Sequence, residues 1–239
     1  MTATDTDIRF DMPLYTVAEA ARYLAVPTTT FSSWAKGYVR RSVERTTVGR
    51  PLLSVVPSNG PRASVPFIGL AEGMVLAAIR RSGVPMQRIR PALDALQETI
   101  GVHHALASKR LYSDGAEVLY DFAQTHRDSS EGASAKELVV VRNGQQVFTD
   151  VVADYLQRID YAPDGYARLL QLPEYERRQV VVDPTRSFGQ PMFIHGGARV
   201  ADVIDRFHAG ESLSDLADDF GVPTVELEDA VRVASRRAA

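Results

Sequence analysis

Near the N-terminus, apolar residues recur at helical spacing in two short runs. Val17, Ala20, Ala21 and Leu24 form one stripe, and Phe31, Trp34 and Ala35 form a second. Ala25-Val26-Pro27 breaks the chain between them. Thr16 followed three residues later by Glu19 is a capping box: the hydroxyl accepts from one orphan amide and the carboxylate reaches back to another. The pattern predicts a helix-turn-helix over Tyr15–Lys36, with Ala21 small where the two helices cross. Its second helix then turns Thr29, Ser32, Ser33 and Lys36 away from the core. Small hydroxyls and a cation on such a helix suit the edges of bases in a major groove.

The same reading carries along the chain. Residues 1–11 read as a flexible tail. After the helix pair, the basic stretch VRRSVERTTVGRPLLSVV at 39–56, with a turn at Gly49-Arg50-Pro51 and a short strand over Leu52 to Val56, resembles a wing. Asn59-Gly60-Pro61 is a loop. Gly69 to Ser82 is a helix, and a second follows to about Thr99 with a kink or restart at Pro91. Neither sustains enough heptads for a long coiled coil. Gly115 to Phe122 is expected to be a strand and His126 to Lys136 a flexible loop. Asn143-Gly144 between Leu138–Val141 and Gln145–Phe148 is a hairpin signal. Val151 to Ile159 is expected to be helical. Strands are expected at 179–182 and 192–194, then helices over Val200–Phe207, Leu213–Phe220 and Thr224–Ala234. The fold class is α+β, mainly α with a small β wing and hairpins. The segments are a DNA-binding domain at 12–110, a middle region at 111–173 and a second helix-turn-helix domain at 174–239.

That second unit is an internal echo. EAARYLAVPTTTF at 19–31 aligns without gaps on DLADDFGVPTVEL at 215–227, pairing Ala21 with Ala217, Val26-Pro27-Thr28 with Val222-Pro223-Thr224, and Phe31 with Leu227. The faces differ in charge. Asp215, Asp218, Asp219, Glu226, Glu228 and Asp229 are expected to face outward from the second unit, and carboxylates are repelled by a phosphodiester backbone. It is therefore expected to bind protein, either a second copy or another partner.

The net charge of −3 hides a segregation. Residues 1–110 carry 14 Lys and Arg against 8 Asp and Glu, residues 111–173 carry 5 against 10, and residues 174–239 carry 8 against 12. The basic front suits phosphate contact and the acidic remainder a different partner. Arg22, Arg40, Arg41, Arg45 and Arg50 are the candidates for phosphates. With no cysteine, disulfides and thiolate sites are excluded. His103-His104 has no third ligand at useful spacing and reads as a surface or capping pair. No phosphate loop or Gly-x-Ser-x-Gly is present, so no metal, cofactor or enzymatic activity is expected. The acidic, polar start does not suit a targeting signal, and no run approaches the roughly 20 apolar residues of a membrane helix. Cytoplasm without membrane contact is the expectation.

Two resemblances follow from these residues. The stretch with Tyr15-Thr16, Ala20-Ala21 and Trp34 resembles the MerR-type DNA-binding domain, with Ala25 where that family commonly has Gly. The C-terminal stretch resembles a bacterial antitoxin-associated domain of formerly unknown function. The residues that carry this are Asp183-Pro184, Gly189-Gln190-Pro191, Gly197-Ala198-Arg199, Ala209-Gly210-Glu211-Ser212 and the final helix pair, with Ala198 for the usual Thr and Ala201 for the usual Pro. The whole arrangement looks like a VapB-type antitoxin. That resemblance implies a PIN-domain-like ribonuclease toxin as partner, operator DNA as a second ligand, and repression of the protein's own operon by a homodimer. Arg232, Arg236 and Arg237 are the candidates to enter the toxin's carboxylate-lined site, because a guanidinium pairs with carboxylates in bidentate fashion. A stand-alone MerR-like regulator answering to a small-molecule or protein effector is the alternative.

Overall fold

The computed structural model describes residues 7–41, 46–57 and 62–238. Helix α1 (Ile8–Asp11) is followed by α2 (Val17–Tyr23) and α3 (Thr28–Lys36), the expected helix pair. Strands β1 (Tyr38–Arg41) and β2 (Thr46–Gly49) then pair antiparallel, with Tyr38 opposite Gly49 and Arg41 opposite Thr46. This hairpin lies in the basic stretch expected to form the wing, but no strand forms at Leu52–Val56. Leu52 and Leu53 are instead buried, and their amides donate to the Trp34 carbonyl at 2.7 and 3.3 Å. The loop expected at Asn59-Gly60-Pro61 lies outside the described residues.

Helix α4 (Phe67–Arg81) is the centre of the molecule. Every residue from Phe67 to Ile79 is buried, as befits a helix that is apolar nearly all round. It packs against α1, against the 3₁₀ turn at Ala105–Ala107, and against α8 (Asp150–Leu156) and β6 (Ala167–Gln171). It also receives the helix-turn-helix: a Cβ added at Gly73 would lie 2.7 Å from the Phe31 ring and 3.0 Å from Leu24. Helix α5 (Met86–Ile100) continues through Pro91. Pro91 and Gln87, whose carbonyl loses its donor there, both sit on the exposed side, so the helix does not restart.

Two expectations in the middle region are corrected. Residues 115–122 are not a strand but part of α6 (Lys109–Thr125). Leu111, Gly115, Ala116, Leu119, Phe122 and Ala123 bury one helical face, and the alternation inside GAEVLYDF is local coincidence. Residues 126–136 are not a flexible loop. Ser129 accepts from the Gly132 amide at 3.0 Å and caps α7 (Ser130–Lys136), which packs on α5 and α6 through Gly132, Ser134 and Ala135. The contact uses small residues, so no apolar period announces it.

β3 (Val139–Arg142) and β4 (Gln145–Phe148) form the expected hairpin, with φ of 51° at Asn143 and 79° at Gly144. β5 (Ile159–Tyr161), β6, β7 (Val180–Val182) and β8 (Met192–Phe193) build an antiparallel meander in sequence order. Helices α9 (Val200–His208), α10 (Leu213–Phe220) and α11 (Thr224–Ala238) close the chain. One hydrophobic cluster runs from Tyr15 to Val233, so the three expected segments share a core.

The end of the expected tail is docked rather than loose. Arg9 bonds Asp7 at 2.6 Å and also pairs with Asp164 in the β5–β6 turn, while Phe10 meets Tyr166 edge-on at 5.3 Å. The Arg9 hydrogen bond holds the Asp164 carboxyl below its ordinary value of 3.8. A lowered carboxylate pKa adds stability that is complete above pH 3.8 and is lost as pH falls through the folded value. Asp164→Asn therefore destabilises the protein at neutral pH and not in strong acid. Since Asp164 is 44% exposed, screening limits the loss to about 0.5 kcal/mol. Urea denaturation of both forms at the two pH values measures it.

Candidate nucleic-acid and partner interfaces

The N-terminal unit is built as its sequence predicts. Thr16 Oγ1 accepts from the Glu19 amide at 3.1 Å, and Glu19 Oε2 accepts from the Thr16 amide at 2.8 Å. At the other end of α2 the Val26 amide donates to Ala21 O at 3.0 Å and the Ala25 amide to Arg22 O at 3.2 Å. This is a Schellman ending whose left-handed residue, normally glycine, is Ala25 at φ 55°. Phe31, Trp34 and Ala35 are buried. Thr29 and Lys36 are exposed, while Ser32 and Ser33 are half-buried. Ser33 Oγ donates to Thr30 O at 2.7 Å, so its hydroxyl is already engaged within the helix. Ser32 and Lys36 line a groove of about 460 Å³ together with Thr28 and Arg62. Arg62 is a further cation on this face that the sequence reading did not pick out.

The wing follows directly. Arg40 and Arg41 lie on β1, and Arg45 lies outside the described residues. Arg50 is exposed, and its carbonyl accepts from Arg90 Nη1 at 2.6 Å. The Arg90 guanidinium also lies over the Tyr38 ring, 5.3 Å from its centroid. Arg90 thus ties the base of the wing to α5, a role invisible in a sequence that separates the partners by forty residues or more. Arg22 is placed elsewhere: it lines a cleft with Asp205 and His208 of the C-terminal domain.

The C-terminal unit repeats the same turn. Val222 donates to Ala217 O at 3.2 Å, as Val26 does to Ala21, and Gly221 takes φ 62°. Pro223 O accepts from the Glu226 and Leu227 amides, as Pro27 O does from Thr30 and Phe31. The expected acidic face needs correction. Glu226 and Asp229 are buried. Asp229 accepts from Gln179 Nε2 at 2.8 Å, and Glu226 meets His195 Nδ1 at 2.8 Å. These two carboxylates find partners beside the strands: Gln179 just before β7 and His195 shortly after β8. Arg206 engages Asp219 at 2.6 Å and also pairs with Glu211, and these hydrogen bonds hold its guanidinium charged. Asp215, Asp218, Asp219 and Glu228 are exposed, as expected. Arg232 and Arg236 are exposed one turn apart on α11, and the Arg237 side chain lies outside the described residues.

His104 does not stand alone as a surface residue. Its Nδ1 lies 2.7 Å from Ser54 Oγ and 3.2 Å from Oε1 of the buried Glu72, and Ser54 Oγ donates to the same oxygen at 3.0 Å. A serine relay needs its hydroxyl and carboxylate on opposite ring nitrogens. Here both meet one nitrogen, so the trio fastens the loop after the wing to α4. Among the described residues no group of three His, Cys, Asp or Glu could hold a metal, and no helix is long and apolar enough to cross a membrane.

The paired turns give a reciprocal test. A Cβ in the left-handed region costs about 1 kcal/mol relative to glycine. Ala25→Gly should stabilise the protein by that amount, and Gly221→Ala, where the nearest atom to the new Cβ is 3.9 Å away, should destabilise it equally. Denaturant midpoints of the two variants check both signs.

Residues 13–93 match a helix-turn-helix family described as "Putative DNA-binding HTH domain". The chain is 47% identical over 230 residues to "Putative antitoxin VapB45" of Mycobacterium tuberculosis, covering 95% of this chain and 96% of that one. It is 28% identical over 231 residues to the uncharacterized protein Rv2308 of the same organism, covering 92% and 90%. The crystal structure of Rv2018 from M. tuberculosis superposes with a TM-score of 0.84 at 46% identity, over 93% of this chain and 99% of that one. The chain therefore belongs to the VapB-type antitoxin family and carries a DNA-binding helix-turn-helix domain at its N-terminus.

Proposed function

We propose that the protein is an antitoxin that binds and silences a PIN-domain-like ribonuclease toxin and represses its own operon. The observation that carries the DNA half of this reading is the contrast between two units with the same turn. Only the first leaves an α3 face of hydroxyls and Lys36, flanked by Arg62 and by a wing bearing Arg40, Arg41 and Arg50. In this reading α3 enters the major groove, with Thr29, Ser32 and Lys36 toward base edges, Ser33 supporting the helix, and the wing on phosphates. Arg45 belongs to the same wing loop by sequence. Arg22 contributes at most to the long-range field, since it faces the C-terminal domain. A homodimer presents two such units to a palindromic operator.

The toxin half rests on the family and on the C-terminal domain. Its turn is copied but its helix pair exposes Asp215, Asp218, Asp219 and Glu228, which disfavour a phosphate backbone. Arg232 and Arg236, with Arg237 beyond them, are the cations offered to the carboxylates of a nuclease site. The name VapB45 carries the word antitoxin for the relative, and the same role is proposed here.

Replacing both Arg40 and Arg41 by Ala should weaken binding to the DNA upstream of the gene at every sequence tested and reduce the salt slope by about 2. Unchanged affinity and slope would show that the wing does not meet phosphates. Co-expression with the product of the adjacent gene should give co-purification and restored growth. Toxicity without rescue refutes the antitoxin reading, and full neutralisation after removal of residues 235–239 removes Arg236 and Arg237 from it.

A further inference from the structure

The loop from Asp183 to Pro191 carries an exposed aromatic on an unfavourable backbone. Ser187, Phe188 and Gly189 take φ of 47°, 52° and 71° in succession. Two residues with a Cβ side by side in the left-handed region persist only where their surroundings over-determine them. Here they do. Asp183 Oδ1 accepts from the Thr185 amide at 2.9 Å, Gly189 donates to Arg186 O at 2.9 Å and Gln190 to Ser187 O at 3.0 Å. Gly189 is pressed against the helix-turn-helix, where a Cβ would lie 2.3 Å from the Tyr15 hydroxyl. The result is Phe188 held 81% exposed, the most exposed large hydrophobic among the described residues. Beside it Arg186 is exposed, with no ion pair among the described residues.

The same loop runs straight into a socket. Gln190 and Pro191 help to line the cleft of about 520 Å³ between α2 and the C-terminal domain. Its lining includes the apolar Tyr23, Pro191, Ala201 and Ile204, the carboxylates Glu19 and Asp205, and Arg22 and His208, with Glu19 already engaged by Thr16 in the capping box. Asp205 is exposed and unpaired among the described residues. An apolar, cationic knob thus adjoins a largely apolar socket that it does not fill and that offers it one carboxylate, Asp205. A patch that carries both halves of a complementary contact is what a two-fold, isologous interface requires.

We propose that Phe188 of each protomer seats in this cleft on a second copy, with Arg186 meeting Asp205, and that this exchange is the dimer contact. The inference rests on the homodimer reading above and assigns its surface. Since α2 forms one wall of the socket, the contact also sets where each copy's α3 sits relative to the other.

The test is complementation, read by analytical ultracentrifugation of the full chain. The unaltered chain should be dimeric. Phe188→Ala removes the knob and Ala201→Trp fills the socket, and each should raise the dissociation constant about 100-fold, the scale of a buried aromatic anchor. An equimolar mixture of the two should regain dimers, because one knob still meets one open socket. Phe188 is exposed in the protomer, so far-UV circular dichroism and melting of its variant should match the unaltered chain. A monomeric unaltered chain would overturn the inference together with the homodimer reading. A dimeric Phe188→Ala chain would overturn the inference alone. So would a Phe188→Ala chain that stays dimeric but no longer co-purifies with the product of the adjacent gene, which would make Phe188 an anchor for the toxin.

Discussion

Phe31 packs against α4 where Gly73 leaves it room, and the placement of the DNA-facing elements depends on that contact. A methyl group at residue 73 would collide with both Phe31 and Leu24, one from each helix of the pair. The helix-turn-helix is too small to bury its own apolar stripe. It borrows the surface of a helix that is buried from Phe67 to Ile79 and is itself clamped by α8 and the meander. The orientation of α3 is therefore a property of the whole core. The loop after the wing is fixed to the same helix through Glu72, which accepts from the Ser54 amide at 2.6 Å. The wing itself is fixed to the next helix through Arg90.

The two helix-turn-helix units show what a short sequence window does and does not determine. Backbone geometry follows from a few positions. A small residue in the first helix, a left-handed residue at its end, a proline and a large apolar residue in the second helix give both units the bond from the turn valine to the small residue and the two bonds to the proline carbonyl. Outward chemistry is a separate matter. The first unit's second helix keeps hydroxyls and a lysine. The second unit turns Glu226 and Asp229 inward, where His195 and Gln179 receive them. Equal folds thus carry unequal partners, and the sign of the exposed charge separates them.

Much of this was legible in the sequence where one physical rule acts locally. The capping box at Thr16 and the hairpin at Asn143-Gly144 depend on neighbours a few residues apart, and both are present. The reading failed where packing is long-range or made by small residues. The helical face of α6 was masked by a local alternation, and α7 packs through Gly132, Ser134 and Ala135, which carry no hydrophobic signal. The strand expected at Leu52–Val56 is absent because Leu52 and Leu53, apolar and adjacent, are core residues rather than strand residues. Arg62, Arg90 and Glu72 gained roles only from partners that the fold brings to them.

The central claim is that the first unit reads DNA and its C-terminal copy does not. Amide hydrogen exchange of the full chain, with and without the DNA upstream of its gene, separates the two directly. The account predicts slowed exchange in α3 and in the wing strands over 38–41 and 46–49, with α10 and the start of α11 unchanged. Protection that appears over 213–230 and spares 28–49 would contradict it.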